Sequence, residues 1–421
     1  MSRRLLLFVE SNTTGTGMLA LGTAGRLGFE PVFLTADPGR YAGLAETGAR
    51  VVRCDTDSQE ELVAAVGVAA GAPSSDLSQP TDLAGITTTS EFFLPAVAGL
   101  AERLGLPGNP PEAVRTCRDK AAVRRALEDA GIPQPAWATA SAVDQTDAAL
   151  ARTGLPCVVK PVDDSGSNNV RICHDPAEAR EAVSAVLAVR VNTRGQPTAG
   201  LALIEEYVPG PEFSVEMFST DGQAHCVGVT RKTVGPPPYC VETGHLHPAG
   251  LPPHEEAALV ETTRAVLKAL GVLTGPTHTE IKLGPAGPAL IEVNCRLAGG
   301  MIPDLIRRAR GVDLLEQQLR CAVGERPELG PAPGSSAVGW AGIRFLTADR
   351  PGTLRELAGL DRALEVPGVV QATATARPGV RVDVPRNAYD RLGFVIAAGQ
   401  SPDVVTQALE TAGRLVTPVL D

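Results

Sequence analysis

The sequence predicts a multidomain protein of the α/β and α+β classes: an N-terminal doubly wound parallel sheet, two central α+β subdomains and a small C-terminal α+β domain. Three observations support this prediction. The first hundred residues alternate strands with helices, the rhythm of a parallel sheet. Two Pro- and Gly-rich breaks, at 106–111 and 327–336, divide the rest of the chain. A chain of 421 residues also exceeds one compact core.

The first unit is predicted to span 1–108. It begins with the buried strand LLLFVE, followed by a helix over 18–27 and the strands PVFLTA and VVRCD. The loop SNTTGTG at 11–17 lies where a dinucleotide phosphate loop would be found. It lacks the three-glycine fingerprint, so a tight strand-to-helix turn is the preferred interpretation.

The second unit is predicted to span 109–326 and the third 337–421. The second contains an amphipathic helix (RDKAAVRRALEDAG), the strands LPCVVKPV, LALIEEYV, EFSVEMFS and AHCVGVT, a helix over 255–270 and a strand hairpin over 277–296. The third contains the strand patterns IRFLTA and VVQATATA and a helix over 402–415. Runs of strands separated from helices in this way are typical of α+β domains.

Composition excludes several classes of function. A net charge of −10 argues against a nucleic-acid partner or an anionic membrane surface. No apolar run approaches the roughly 18–20 residues that span a bilayer, and the N-terminal apolar run is too short for a secretory signal. The eight cysteines form no C-x-x-C pair, so neither a zinc site nor a disulfide framework is indicated. We expect a cytoplasmic protein without nucleic-acid or membrane partners, with a homodimer as the default assembly.

The hairpin THTEIKLGPAGPALIEVNCR is the most informative segment. Folding it about residue 286 places Glu280 opposite Glu292, and His278 then faces Asn294. Six polar side chains would share one face: His278, Glu280, Lys282, Glu292, Asn294 and Arg296. The other face would pack on the core: Ile281, Leu283, Ala289, Ile291 and Val293.

Carboxylates placed directly opposite each other repel and destabilise a sheet. A cation between Glu280 and Glu292 would remove that repulsion. Two carboxylates and the amide oxygen of Asn294 form the all-oxygen set that Mg²⁺ prefers, usually with substrate phosphates as further ligands. The alternative is a solvated hairpin face without a ligand.

Four motifs occur in a fixed order along the chain. They are RDKAAVRR with Lys120, KPVDDSGSNNV with Lys160, EEYVPGPEFSVE at 205–216, and E-x-N-x-R at 292–296. The two lysines belong to a set of only five, against 33 arginines, which suggests a need for compact point charges. In order and spacing the four motifs resemble the ATP-grasp superfamily, so the central region is expected to have the ATP-grasp fold.

The resemblance implies a nucleotide site. Lys120 and Lys160 would clamp the ATP phosphates, and a flexible loop would cover them with backbone N–H groups. Glu205 would accept from the adenine amino group and Glu212 from the ribose hydroxyls. The residues implied to bind ATP are Lys120, Lys160, Ser165, Gly166, Ser167, Glu205, Tyr207, Val208, Glu212 and Lys232. Glu280, Glu292 and Asn294 would hold Mg²⁺, as two ions, with Mn²⁺ as the alternative metal.

Within the superfamily the chain is most similar to the L-amino-acid (dipeptide) ligases. The matching segments are EVNCRLAGGMIPDLI, TRKTVGPPPYCVETGHLHPA and the C-terminal patterns RFLTADRPGTL and DRLGFVIAAG. By this resemblance Glu242 would bind an α-ammonium group and His245 would orient the amine or the carboxylate. Arg296 would stabilise charge during phosphoryl and acyl transfer. The implied substrate residues are Glu242, His245, Arg296, Gly299 and Gly300, and the implied catalytic residues are Arg296, Lys160 and Lys120.

The implied activity is an ADP-forming ligation of two amino acids, or close analogues, through an acyl phosphate. Three alternatives stay open on the sequence. A γ-glutamyl ligase would activate a side-chain carboxylate with the same residues. A purine-pathway enzyme or a carboxylase of the superfamily would share the nucleotide motifs, although the TRKTVGPPPYCVETGH segment and the C-terminal domain argue against both. A catalytically silent nucleotide-binding protein is the alternative outside enzymes.

Overall fold

The computed structural model describes residues 4–13, 16–71, 82–332 and 334–421. Within these ranges, no helix is long and apolar enough to cross a membrane. The described residues form four sheets, one parallel and three built from antiparallel neighbours. The predicted fold class is confirmed.

The N-terminal sheet is parallel throughout, as predicted. Its strands are β1 (Leu5–Val9), β2 (Glu30–Thr35), β3 (Arg50–Arg53) and β4 (Leu83–Thr87), in the order β3-β2-β1-β4. The accompanying helices are α1 (Thr16–Arg26), α2 (Gln59–Ala70) and α3 (Leu94–Leu104). All five residues of β1 are buried, which explains its uninterrupted apolar run. The loop predicted at 11–17 includes residues 14–15, which lie outside the described residues.

The first central subdomain is a four-stranded sheet in the order β5-β8-β6-β7. Its elements, with the two helices that precede it, are α4 (Pro111–Arg118), α5 (Lys120–Asp129), β5 (Trp137–Ala140), α6 (Thr146–Thr153), β6 (Cys157–Pro161), β7 (Arg171–Cys173), α7 (Pro176–Ala188) and β8 (Ala202–Glu206). Asp119 caps α5, because its carboxylate accepts from the backbone N–H groups of Ala121 at 2.8 Å and Ala122 at 3.0 Å. This cap places Lys120 at the first residue of the helix.

The second central subdomain contributes to an eight-stranded sheet that continues into the C-terminal unit. The central elements are β9 (Glu212–Thr220), β10 (Gln223–Val234), β11 (Glu242–His247), α8 (Pro253–Ala269), β12 (Gly275–Gly284), β13 (Gly287–Asn294), α9 (Ile302–Arg310) and α10 (Leu314–Ala322). The C-terminal elements are β14 (Trp340–Leu346), β15 (Gly352–Ala358), α11 (Leu360–Leu364), β16 (Val369–Ala374), β17 (Arg381–Val382), β18 (Gly393–Gly399), α12 (Pro402–Leu415) and β19 (Thr417–Leu420). The sheet order is β13-β12-β9-β10-β11-β14-β18-β16. Strand β11 therefore pairs directly with β14, and the two units share one continuous sheet.

Helix α10 connects the central region to the N-terminal sheet. Leu314, Leu315 and Leu319 join Leu6 and Phe8 of β1 in one apolar cluster. Burial of apolar side chains across this contact fixes the N-terminal unit against the rest of the chain, at about 25 cal/mol per Å² removed from water.

The register of the β12–β13 hairpin is confirmed. Glu280 pairs with Glu292 and His278 with Asn294. Past this point the ladder shifts, because Ile281 pairs with Leu290 and leaves Ile291 as an extra residue. The prediction that Ile291 packs on the core is wrong: Ile291 lines a central cavity, and Leu290 takes the core position.

His247 at the end of β11 lies in the interior without a charge partner. It is fully buried, and its Nδ1 lies 3.1 Å from the Thr230 hydroxyl. Burial, with a smaller contribution from Arg310, lowers the pKa of His247 to about 3.

We expect this depressed pKa to destabilise the protein in acid. Between pH 6.5 and 3 the unfolded chain protonates His247 while the folded protein does not, so the free energy of unfolding falls by up to about 4–5 kcal/mol. Denaturant titrations of wild type and His247→Gln across this range measure the effect, and the variant should give the flatter curve. The exposed His254, changed to Gln, is the matched control. Parallel curves for wild type and His247→Gln would contradict the prediction.

Candidate active site

One cavity of about 220 Å³ collects every residue predicted for the site. Its walls come from both central subdomains and from a turn of the C-terminal unit. The loop after β6, the adenine-side segment after β8, and strands β11, β12 and β13 all face it. The predicted residues therefore line one cavity together with others that the sequence did not indicate, and the role of each residue stays a prediction.

The two predicted phosphate lysines lie in the cavity wall and are held by neighbouring oxygens. The ammonium of Lys120 donates to the backbone oxygen of Asp164 at 2.8 Å and lies 3.4 Å from Glu292. The ammonium of Lys160 lies 2.5 Å from Glu205. Both side chains are nearly fully buried, so their charges are poorly screened by solvent.

Glu205 is the centre of a buried ion-pair network. Its second carboxylate oxygen lies 2.5 Å from Nε of Arg124, whose Nη2 donates to the backbone oxygen of Leu290 at 2.9 Å. Burial alone would raise the pKa of Glu205, but Arg124 and Lys160 lower it to about 2. Both carboxylate oxygens of Glu205 are thus engaged, one of them by Lys160, and the adenine contact that the resemblance implies for Glu205 stays a prediction. The sequence did not identify Arg124, because its partner lies 81 residues away.

The loop after β6, predicted to cover the phosphates, has an unusual backbone conformation. Gly166, Ser167 and Asn169 all have positive φ, at 71°, 58° and 53°, which is unusual for residues with side chains. Asp164 holds the loop through the N–H of Ser165 at 2.8 Å and also accepts from Asn168. The Asp164 side chain therefore holds the loop in place, and the small residues Ser165, Gly166 and Ser167 line the cavity.

The predicted adenine segment follows β8. Tyr207 and Val208 line the cavity, and Lys282 reaches both of them. Its ammonium donates to the backbone oxygen of Val208 at 3.1 Å and lies 4.7 Å from the centre of the Tyr207 ring. Lys282 was predicted on the hairpin face, and the structure places it beside the predicted adenine segment.

Lys232 lies among three carboxylates. Its ammonium is 3.0 Å from Glu212 and 2.6 Å from Glu280, and it also pairs with Glu242. The three carboxylates are close enough together to bind a metal ion, but the ammonium already occupies the space among them. Although burial opposes the charge, the three glutamates raise the pKa of Lys232. We therefore conclude that these three carboxylates bind the Lys232 ammonium in place of a metal ion.

The predicted metal ligands lie on one wall. Asn294 donates its Nδ2 to Glu292 at 3.0 Å, which leaves its Oδ1 as an acceptor. Glu280 accepts from Nε2 of His278 at 3.1 Å, and Nδ1 of His278 lies 2.8 Å from Glu216. Burial would lower the pKa of His278, but Glu216 and Glu280 raise it to about 9. A protonated His278 orients Glu280, and the oxygen set of Glu280, Glu292 and Asn294 fits a hard divalent cation.

Arg296 is fixed by a residue of the N-terminal unit. Its Nε donates to Glu91 at 2.8 Å, and its Nη2 bonds the same carboxylate oxygen. The other oxygen of Glu91 accepts from Arg118 at 2.6 Å. Burial would raise the pKa of Glu91, but Arg296 and Arg118 lower it to about 2. The sequence gave no sign of Glu91, which is 205 residues from Arg296.

We expect Glu91→Gln to reduce both stability and turnover. The change removes the carboxylate that pairs with the buried guanidinium groups of Arg296 and Arg118, which costs about 3 kcal/mol of unfolding free energy. It also releases the orientation of Arg296. Glu112→Gln, which removes an exposed ion pair with Arg115, is the matched control and should cost under about 0.5 kcal/mol. Equal unfolding free energies for the two variants in denaturant titrations would contradict the role of Glu91.

The predicted amino-acid pocket lies beside β11. Lys232, His245 and Arg391 lower the pKa of Glu242 to about 2, although its burial acts in the opposite direction. Burial lowers the pKa of His245 to about 3, so its imidazole is neutral near pH 7. A Cβ on Gly300 would lie 2.5 Å from Nε2 of His245, so the imidazole lies over a position that only glycine leaves open.

Comparisons with known proteins identify two domains in this chain. The model of the ATP-grasp domain matches residues 153–304, and that of the L-amino acid ligase C-terminal domain 2 matches residues 344–421. The uncharacterized protein y4rH of Sinorhizobium fredii is 32% identical, over 100% of this chain and 84% of that protein. The chain belongs to the ATP-grasp superfamily.

Two further proteins extend the comparison of this ATP-grasp protein. Alanine–anticapsin ligase of Bacillus subtilis is 30% identical over 248 residues, or 55% of this chain, and the match covers 52% of that ligase. The crystal structure of L-amino acid ligase from Bacillus licheniformis matches over 100% of both chains with a TM-score of 0.81 and 23% identity. The resemblance to the ATP-grasp superfamily is confirmed, and so is the C-terminal domain of the L-amino acid ligases.

Proposed function

We propose that this ATP-grasp protein is an ADP-forming carboxylate–amine ligase that joins two amino acids, or close analogues, through an acyl phosphate. One observation supports this function best. One cavity wall brings together the predicted phosphate lysines, Lys120 and Lys160, the predicted substrate residues, Glu242, His245 and Arg296, and the predicted metal ligands. The alanine–anticapsin ligase and the L-amino acid ligase point to the same substrate class.

The first step transfers the γ-phosphoryl group of ATP to a carboxylate oxygen of the donor amino acid, giving ADP and an acyl phosphate. Lys120 and Lys160 hold the phosphates, and the loop at 164–169 covers them and excludes water. Arg296, held by Glu91, stabilises the charge that spreads over the transferred group. Mg²⁺ or Mn²⁺ bound by Glu280, Glu292 and Asn294 would supply Lewis-acid neutralisation of the phosphate charge.

In the second step the amine of the acceptor attacks the carbonyl carbon of the acyl phosphate. The C–N bond forms, the bond between the carbonyl carbon and the phosphate oxygen breaks, and the phosphate leaves with the electron pair of that bond. The proton lost by the amine ends on the phosphate, which departs as HPO₄²⁻. Arg296 stabilises the tetrahedral oxyanion. Glu242 holds the ammonium of the donor, and neutral His245 orients the attacking amine.

The reaction is tested by phosphate release from ATP and Mg²⁺ with twenty L-amino acids present and then withdrawn one at a time. We expect release that depends on two particular amino acids, with ADP as the co-product. Mass spectrometry of the product distinguishes an α-linked peptide from a γ-glutamyl one. ATP binding without release from any mixture, including non-proteinogenic analogues, would contradict the ligase function and favour a nucleotide-binding role.

The domain bounds, the location in the cell and the assembly complete the proposal. We assign the nucleotide and metal site to 109–326, flanked by an N-terminal unit over 1–108 and a C-terminal unit over 337–421. Placement in the cytoplasm and assembly as a homodimer stay predictions from the sequence. Size-exclusion chromatography with light scattering measures the assembly.

A further inference from the structure

A turn of the C-terminal unit contributes to the cavity wall beside Glu242. Among the described residues that line the cavity, two lie beyond residue 302: Ala388 and Arg391. Both belong to the turn at 387–391, which precedes β18. The backbone N–H of Ala388 donates to the oxygen of Gly166 at 3.0 Å, and Asn387 and Asp390 cap the turn reciprocally. This turn therefore has a fixed shape against the active site.

The guanidinium of Arg391 has a defined plane and an unused donor. Its Cζ lies 3.6 Å from the centre of the Phe345 ring, a stacking that orients the group. Its Nη2 donates at 3.0 Å to the backbone oxygen and to a carboxylate oxygen of Glu242. Its Nε is buried and has no hydrogen-bond partner. A buried unpaired donor is costly, and here it lies on the same edge of the guanidinium as Nη2.

The chemistry of amide formation requires two carboxylate-binding groups. The donor carboxylate becomes an acyl phosphate, and Arg296 would stabilise the charge that develops there. The acceptor carboxylate does not react and stays negative in the product, so a closed site must offer it a fixed cation. An arginine edge with two parallel N–H groups matches a carboxylate better than an ammonium does.

The other cations of the cavity have different surroundings. The described lining residues include six lysines and arginines: Lys120, Lys160, Lys232, Lys282, Arg296 and Arg391. Three of them lie at the predicted phosphate and adenine positions. Lys232 is surrounded by three carboxylates, and Arg296 is paired with Glu91. Arg391 is the one that lies beside Glu242 and stacks on Phe345, the ring that also contacts His245.

We propose, on the basis of the ligase function above, that Arg391 binds the carboxylate of the amino acid that supplies the amine. Nε and Nη2 would each donate to one carboxylate oxygen. Glu242 would then release Nη2, keep its pairing with Lys232 and accept from the donor ammonium. The C-terminal unit would thus restrict the acceptor to molecules that carry a carboxylate, which assigns it a part in substrate selection.

Amino acid α-carboxamides test this proposal. Unless the side chain is acidic, such an amide offers no carboxylate for ATP to activate and can enter only as the amine. Each L-amino acid that serves as acceptor is compared with its own carboxamide, at saturating donor, ATP and Mg²⁺. For the wild type we expect kcat/KM to be roughly 10–100-fold lower with the amide, the size expected for a hydrogen-bonded charge pair. Equal use of acid and amide by the wild type would overturn the proposal without any variant.

Variants then assign the effect to Arg391. We expect Arg391→Met to lower kcat/KM for the free acid by the same factor and to bring the acid-to-amide ratio near one, with KM for the donor and for ATP within about twofold of wild type. Arg391→Lys keeps the charge without the paired donors and should keep a reduced preference for the acid. Arg386→Met, in an exposed side chain just before the turn, is the matched control and should behave as wild type.

The outcomes separate this proposal from the ligase function. An intact acid preference in Arg391→Met, or a raised KM for the donor with the acceptor unchanged, overturns the role of Arg391 and leaves the ligase in place. If Arg391→Met does not fold, the Lys variant decides: a full wild-type preference in that variant overturns the need for the paired donors. Absence of amino-acid-dependent phosphate release in the wild type overturns the ligase function and this assignment with it.

Discussion

Arg296→Met is expected to lower turnover by roughly 10³-fold or more while ATP still binds. The size follows from the contribution of an arginine that stabilises a transferring phosphoryl group. Here the same guanidinium would also stabilise the oxyanion of amide formation. ATP affinity should be nearly unchanged, because the lysines and the loop after β6 are intact. Phosphate release measures turnover, and calorimetric titration with ATP measures binding.

The control for this variant has to account for Glu91. Removal of Arg296 leaves the Glu91 carboxylate with Arg118 as its remaining arginine partner, which lowers the stability of the fold. The double variant Arg296→Met with Glu91→Gln also removes the charge of Glu91, so no carboxylate is left without its arginine partner. It should be as inactive as the single variant. Arg307→Met, which changes an exposed arginine on α9, should keep wild-type turnover. Turnover within tenfold of wild type in the folded double variant would contradict the role of Arg296.

Local pattern was sufficient to predict much of the site. The alternation of the hairpin put Glu280, Glu292 and Asn294 on one face, and the observed register agrees. The scarcity of lysine drew attention to Lys120 and Lys160, and both line the cavity. These predictions succeeded because strand periodicity and chemical rarity are properties of short segments.

The sequence did not predict contacts between residues that lie far apart along the chain. Arg124, Glu91 and Arg391 each hold a site residue through a contact that spans between 81 and 205 positions, and no short-segment pattern marks such a partner. The bulge at Ile291 was also missed, since one extra residue in a strand leaves the apolar pattern almost unchanged. The expectation that an apolar side chain packs in the core also fails at Ile291, because an apolar side chain can line a cavity wall instead.

Three cationic side chains of the cavity are paired with carboxylates before any substrate enters. Lys160 is held by Glu205, Arg296 by Glu91, and Arg391 by Glu242. Groups fixed in this way need little reorganisation when charge develops on a substrate. Residues outside the central region take part in this pairing: Glu91 of the N-terminal unit holds Arg296, and Arg391 of the turn at 387–391 pairs with Glu242.

Glu292→Gln is expected to have the second-largest effect, through the metal. The change keeps the shape of the side chain and its acceptor for Nδ2 of Asn294, but removes one negative charge from the ligand set. We expect at least a roughly tenfold rise in the Mg²⁺ concentration for half-maximal phosphate release, with about 10²-fold lower turnover at low Mg²⁺. Excess Mg²⁺ or Mn²⁺ should restore part of the activity.

Glu206→Gln separates a metal effect from a general loss of charge in the cavity. Glu206 also lines the cavity, but it is exposed and accepts from the backbone N–H of Ala136 at 3.2 Å. Its replacement removes one negative charge at a position outside the ligand set, so the Mg²⁺ dependence should match wild type. Lys120 lies 3.4 Å from Glu292, so ATP affinity is measured without metal in all three proteins. A Glu292→Gln enzyme that loses turnover with an unchanged Mg²⁺ requirement would place the metal elsewhere and leave Glu292 as a partner of Lys120.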